Sequence, residues 1–147
     1  MKKFVFILAA MMMVVFKANA EVTNYICGEN CTATLDEKGV LRVSGTGVMD
    51  NYTVGNRADG PFYKNMNIKT VIIEEGITHV GENIFSTCIN LEKIELADSV
   101  QVVGISAFDN ISHVQSITMS DNTVWREQDN LNDNDDVDHV YHNVNLD

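Results

Sequence analysis

Positive charge is scarce in this sequence: 10 Lys and Arg stand against 21 Asp and Glu, a formal net charge of −11 at pH 7. Three of those ten, Lys2, Lys3 and Lys17, fall within the first twenty residues, where no acid lies, so without that segment the net charge becomes −14. Such a surface repels nucleic acid phosphates and anionic membranes at long range, and neither is expected as a partner. Long apolar runs are also missing. The longest, Phe4 to Phe16, has 13 residues, whereas a helix across a bilayer core needs roughly 20. Cysteine is sparse and odd in number, with Cys27, Cys31 and Cys88 only. One must remain unpaired, and a Cys-x3-Cys spacing without a second pair does not make a zinc site.

What is present begins with a leader. Lys2 and Lys3 precede the apolar run, and Ala18-Asn19-Ala20 follows it as a small-x-small cleavage site. This is the layout of a secretory signal peptide over residues 1–20. Cleavage leaves Glu21 as the first residue, a chain secreted or held at the cell surface, and no membrane span. No Cys follows the run closely enough for a bacterial lipid anchor. Export places the cysteines where disulfides persist. Cys27 and Cys31 are close enough in sequence to pair across a small loop, and Cys88 falls at a position that reads as core.

The strongest signal is a period of 23 residues. Residues 68–90 read IKTVIIEEGITHVGENIFSTCIN, and residues 91–113 read LEKIELADSVQVVGISAFDNISH. Laid together without a gap, Ile68 meets Leu91, Val71 meets Ile94, and Ile73 meets Leu96. Further on, Val80 meets Val103, Gly81 meets Gly104, Phe85 meets Phe108, and Cys88 meets Ile111. A third copy opens at Val114 with Ile117 and Met119 in register. Leu131 then falls at the phenylalanine position, and Val137 and Val140 begin a fourth register. Fixed periods of this length belong to stacked repeat architectures. Within each unit, Val71 and Ile73 alternate with Thr70 and Ile72, as in a strand with one buried face. The expected core therefore includes Val71, Ile73, Phe85, Ile94, Leu96 and Phe108. Ile84, Phe85 and Cys88 are spaced for a short helical turn, and Gly81 for a tight turn. One unit cannot bury its own apolar face, so the units must stack.

The segment VIIEEGITHVGENIFSTCINLEKIEL resembles the BspA-like leucine-rich repeat, in which a short strand, a turn and an Ile-Gly pair precede an aromatic-x-x-Cys and the next Leu. Upstream, CGEN, TLDEKGVLRVSGTGVM and PFY are similar to the region before the first repeat in many members, so the resemblance covers about residues 27–113. It implies a β-rich fold with minor helix: a short leucine-rich-repeat solenoid closed by an N-terminal β-hairpin cap. It also implies a surface or secreted protein that binds other proteins, as in adhesion, with no catalytic residues to carry over. The sequence departs from the family in having Val80-Gly81 and Val103-Gly104 for Ile-Gly. Its third unit loses the Gly and the aromatic, with Arg126-Glu127 there instead.

The expected organisation is a signal peptide over 1–20, an N-terminal β cap over 21–67, repeats over 68–136 with the third degenerate, and an acidic end over 137–147. Within the cap, Thr32 to Leu35 and Val40 to Val43 read as a hairpin around Gly39. Gly45-x-Gly47 lacks the Lys and the helix of a phosphate loop. Residues 129–138 lack the Gly and terminal Glu of an EF-hand loop, and His139 and His142 have no third ligand in view. No cofactor or metal is implied, and no serine or cysteine sits in a context that would activate it. Asn-x-Ser/Thr sequons occur at Asn30, Asn51 and Asn110.

The candidate binding face is the array of outward strand residues: Thr70, Ile72 and Glu74, then Lys93, Glu95 and Ala97, then Ser116, Thr118 and Ser120. The expected partner is a protein. The competing expectation is a degenerate or truncated repeat paralogue with a structural role only.

Overall fold

The computed structural model describes residues 21–127. The expected leader, Leu131, residues 129–138, His139, His142 and the acidic end lie outside the described residues. The fold is a short stack of coils with two strand layers. The first layer holds six strands in the order β1 (Thr23–Gly28), β2 (Cys31–Leu35), β3 (Val40–Gly45), β5 (Thr70–Ile73), β7 (Lys93–Leu96) and β9 (Ser116–Thr118). The second holds β4 (Gly47–Val48), β6 (Ile77–Val80), β8 (Val102–Val103) and β10 (Val124–Trp125). The hairpins β1–β2 and β2–β3 are antiparallel, and every later pairing is parallel. Parallel strands one coil apart arise directly from the repeat, because each copy lays its Val-x-Ile strand beside the last.

The register follows the period. Thr70 lies opposite Lys93 and Lys93 opposite Ser116. Alternation then decides which side chains turn inward. Val71, Ile73, Ile94 and Leu96 are buried, while Thr70, Ile72 and Glu95 are half-buried and Lys93 is exposed. On the third side of each coil the backbone also bonds between neighbours: Phe85 N–H donates to the Ala107 carbonyl at 2.8 Å, and Thr87 N–H to Asp109 at 2.8 Å. The phenylalanines rise through the stack in line. Phe62 and Phe85 are 5.1 Å apart at 10°, and Phe85 and Phe108 are 4.9 Å apart at 9°. Tyr25 closes the column edge-on at one end, and Trp125 leans over Phe108 at the other.

The structure corrects four expectations. The solenoid begins before residue 68. Val40 pairs in parallel with Thr70, β4 with β6, and Phe62 lies under Phe85, so residues 40–67 form a coil rather than part of the cap. Its spacing is 30 residues along the strands but 23 at the phenylalanine, because the loop after Met49, which carries a 3-10 turn over Arg57–Asp59, is longer than its counterparts. The period is hidden by that insertion.

The helical turn at Phe85 is absent, and no α-helix occurs among the described residues. Asn83 and Thr87 have φ of 53° and 64°, and Ser106 and Asn110 repeat them at 53° and 56°. Two left-handed residues per coil break any helical run.

Gly81 is required for a different reason from the one expected. A Cβ there would run into the Asp50 carbonyl oxygen of the preceding coil, and one on Gly104 would lie 2.8 Å from the Val80 carbonyl. Close backbone approach between coils fixes these glycines, not a positive φ.

The Cys27–Cys31 disulfide is not formed, and all three cysteines are free, buried thiols. A bulge between Ile26 and Gly28 puts Gly28, not Cys27, opposite Cys31. The Cys31 thiol instead points at the carbonyls of Val48 and Thr46, at 3.3 and 3.6 Å.

Candidate functional site

The outward side of the six-stranded sheet gathers the predicted face and enlarges it. Pairing carries one row across every strand: Asn24, Thr34, Arg42, Ile72, Glu95 and Thr118 lie directly opposite one another in turn. Below it, Val40, Thr70, Lys93 and Ser116 form a second row. Above it, Ile26, Thr32 and Ser44 are paired, and Glu74 follows β5 on the same side. Strand spacing sets neighbours in each row about 4.8 Å apart.

The charges on this surface are arranged in opposite-sign pairs. Arg42 reaches the Glu74 carboxylate at 3.7 Å, linking β3 to β5. Lys93 pairs with Glu95 on its own strand, where alternation puts both on one side. These groups are largely solvated, so each pair contributes at most about 1 kcal/mol to stability. Their weight lies in the pattern they present. Ile72, half-buried, lies between them as an apolar contact point, and Thr34, Thr70, Ser116 and Thr118 supply hydroxyls that both donate and accept.

Of the expected face, strand pairing brings Thr70, Ile72, Lys93, Glu95, Ser116 and Thr118 side by side, Glu74 joins them through Arg42, and Ala97 and Ser120 lie just past the paired strands. The sequence reading missed Asn24, Thr34 and Arg42, which reach the same row from the cap and the first coil. The available signal was local. Leu41 and Val43 alternate with Arg42 and Ser44 as Val71 and Ile73 do with Ile72 and Glu74, but at a spacing of 30 rather than 23. A second unpredicted row runs along the smaller sheet, where Val48, His79, Val102 and Val124 are paired in turn.

Burial disfavours the thiolate form of all three cysteines. Burial, reinforced by the nearby Cys31 and Asp50, pushes Cys27 up to about 12. Burial does the same to Cys88, again to about 12, and raises Cys31 as well. A thiol that stays protonated is a poor nucleophile and a poor metal ligand. The Cys88 thiol donates to the Phe62 carbonyl at 3.0 Å and so ties the first coil to the second. Among the described residues no three His, Cys, Asp or Glu cluster closely enough to hold a metal ion. A groove of about 370 Å³, lined in part by Glu21, Lys38, Met66 and Lys69, opens at the β2–β3 turn rather than on the strand face.

Parallel coils with a repeating apolar core, a strand layer and an aromatic column define a leucine-rich-repeat solenoid. The sequence profile described as "BspA type Leucine rich repeat region (6 copies)" matches residues 54–146. The chain belongs to the BspA-type leucine-rich-repeat family. Among solved structures it is similar to a leucine-rich repeat protein from Eubacterium ventriosum. The two are 33% identical with a TM-score of 0.65, over 71% of this chain and 28% of that one. The chain therefore spans under a third of that protein's length. No curated protein matches.

Proposed function

We propose that the chain is a secreted or surface-held module that binds a protein, in the manner of an adhesin, through the outward face of its six-stranded sheet. The observation that carries this reading is the unbroken row from Asn24 to Thr118, held in register by backbone pairing across all six strands. Backbone pairing fixes the spacing of this array of charged, hydroxyl and apolar residues before a partner arrives. Preorganisation of that kind lowers the entropy lost on association. Family membership supports a binding scaffold rather than an enzyme, and the acidic surface favours a partner that is not itself strongly acidic.

The test is quantitative capture from a secretome or host extract, comparing the parent with an Ile72→Asp/Lys93→Glu variant of matched circular dichroism. Loss of one captured protein with the variant is expected. Equal recovery removes this face from consideration. Export is tested separately by mass spectrometry of the native protein, which should begin at Glu21. An intact Met1 contradicts secretion and the oxidising environment argued from it.

A second reading, a repeat paralogue with a structural role only, is motivated by the third unit's departure from the repeat at Arg126-Glu127. A downstream reading frame that continues the 23-residue period supports it, and capture of a specific partner by the isolated chain contradicts it.

A further inference from the structure

We propose that the outward face of the six-stranded sheet docks on the same face of a second copy of the chain, about a two-fold axis that runs parallel to β5 above Ile72. This rests on the reading that the face binds a protein, and it names the partner. Across the strands from β2 to β9 the central row runs Thr34, Arg42, Ile72, Glu95, Thr118. The row is symmetric about Ile72, with a threonine at each end and a long charged residue inside each threonine, and the two charges are opposite in sign. Turned about the axis, each copy sets Arg42 against the partner's Glu95, Thr34 against the partner's Thr118, and Ile72 against the partner's Ile72. Both Arg42–Glu95 contacts are attractive, and the apolar side chains meet at the centre. An axis along the row would instead oppose Arg42 to the partner's Arg42 and Glu95 to the partner's Glu95. A two-fold interface uses one patch twice, so a patch must complement itself, as this row does.

The charges permit the approach. Within the three rows of the face the charged residues are Arg42, Lys93, Glu74 and Glu95, two of each sign. The face is therefore neutral in a chain whose net charge is −11. Acids off the face act through solvent, where charges more than about 8 Å apart are largely screened at physiological salt. The Arg42 and Glu95 side chains are 54% and 35% exposed, and their ion-pair partners, Glu74 and Lys93, lie on the same face. One contact opposes the arrangement. Glu74 follows β5 beside the axis, close to its own copy, and Arg42 at 3.7 Å offsets part of that repulsion. The three rows over these strands measure roughly 24 Å by 20 Å, about 500 Å² per copy. A stable complex buries about 800 Å² per partner, so this dimer is weak and concentration-dependent.

The experiment is sedimentation equilibrium on the chain expressed from its full sequence. It compares the parent, Arg42→Glu, Glu95→Arg and an equimolar mixture of those two variants, each matched to the parent by circular dichroism. The parent should pass from monomer to dimer as concentration rises. Each variant alone sets like charges together twice and should dimerise at least about tenfold more weakly. In the mixture every central contact is attractive again, so a heterodimer should form within about fivefold of the parent's affinity. Glu74→Gln removes the opposing contact and should tighten the dimer about twofold. The proposal is overturned by a parent that stays monomeric, by single variants that dimerise like the parent, by a mixture that does not associate, or by weakening in Glu74→Gln. The broader reading of the face has its own readout. A foreign protein captured by the parent and lost with Ile72→Asp/Lys93→Glu upholds that reading where self-association fails, and failure of both removes it.

Discussion

At the N-terminal end, the first coil is covered by an antiparallel strand pair. Ala33 and Leu35 of β2 face the core, Tyr25 of β1 meets Phe62 edge-on at 5.2 Å, and Leu41, Val43 and Met49 beneath them are at most 1% exposed. At the C-terminal end the same core positions stand half-open. Val102 lies opposite Val124 and Val103 opposite Trp125, a step of 22 where the preceding rung steps 23. One residue has been dropped between β9 and β10. The deletion moves Trp125, not Arg126, to the core position held by Val103, and from there the indole reaches Phe108 at 5.6 Å and 40°. The third coil therefore keeps an aromatic over the column, although the uniform period assigns that place to Leu131. The difference between the ends teaches that a coil is stabilised by its neighbours more than by its own residues. Corresponding strand positions are buried in β5 and β7 and only partly buried in β9.

That comparison can be broken by truncating the column at successive heights. Phe85 has a stacked ring on both sides and is wholly buried. Phe85→Ala should lower stability by about 3–5 kcal/mol, measured by urea unfolding. Phe108 is 7% exposed and has a tilted indole on its open side, so Phe108→Ala should fall toward the lower end of that range. Trp125→Ala should cost about 1–2 kcal/mol, because a half-buried ring loses less area on truncation. Equal losses for Phe85→Ala and Trp125→Ala would mean that the C-terminal end is as well covered as the interior.

Alkaline titration sharpens the comparison by a different route. Cys27, within the N-terminal cap, and Cys88, between the first and second coils, are both raised from 9.0 to about 12 in the folded chain. Below pH 9 each thiol is protonated in both states, and the contribution is fully present. Above pH 9 the unfolded thiols ionise first, so stability should fall as pH rises toward 12, and Cys88→Ala should reduce the slope. A slope unchanged in Cys88→Ala contradicts the burial assigned to that thiol. The smallest expected effect is a gain. Thr87 is β-branched at a φ of 64°, where the next coil places Asn110. Thr87→Asn should raise stability by up to about 1 kcal/mol, and a loss would show that the threonine makes a contact worth more than its backbone strain.

Much of the fold was legible because the two central copies repeat without a gap. Val71 with Ile94 and Ile73 with Leu96 set both the alternation and the parallel register, and with them the central part of the candidate face. What stayed hidden lay where the period is interrupted. Residues 40–67 carry the same strand pattern, but the long loop after Met49 shifts it, and Phe62 returns to phase only at the aromatic position. The outer part of the candidate row, Asn24, Thr34 and Arg42, was lost with it. Trp125 was hidden by a single deletion. The left-handed turns at Asn83 and Thr87 left little trace, since threonine rarely adopts that conformation. A short Cys-x3-Cys spacing could not reveal the bulge that places Gly28 opposite Cys31.

Urea unfolding of Phe62→Ala beside Phe85→Ala and Val54→Ala most directly tests whether the solenoid starts at Val40, ahead of the visible period. Phe62 is fully buried under Phe85, whereas Val54 is 67% exposed in the loop of the same coil. Phe62→Ala is expected to cost about 3–5 kcal/mol, like Phe85→Ala, and Val54→Ala to stay within about 0.5 kcal/mol of the parent. A Phe62→Ala loss no larger than that of Val54→Ala would show that residues 40–67 are an appended cap and that the repeats begin at residue 68.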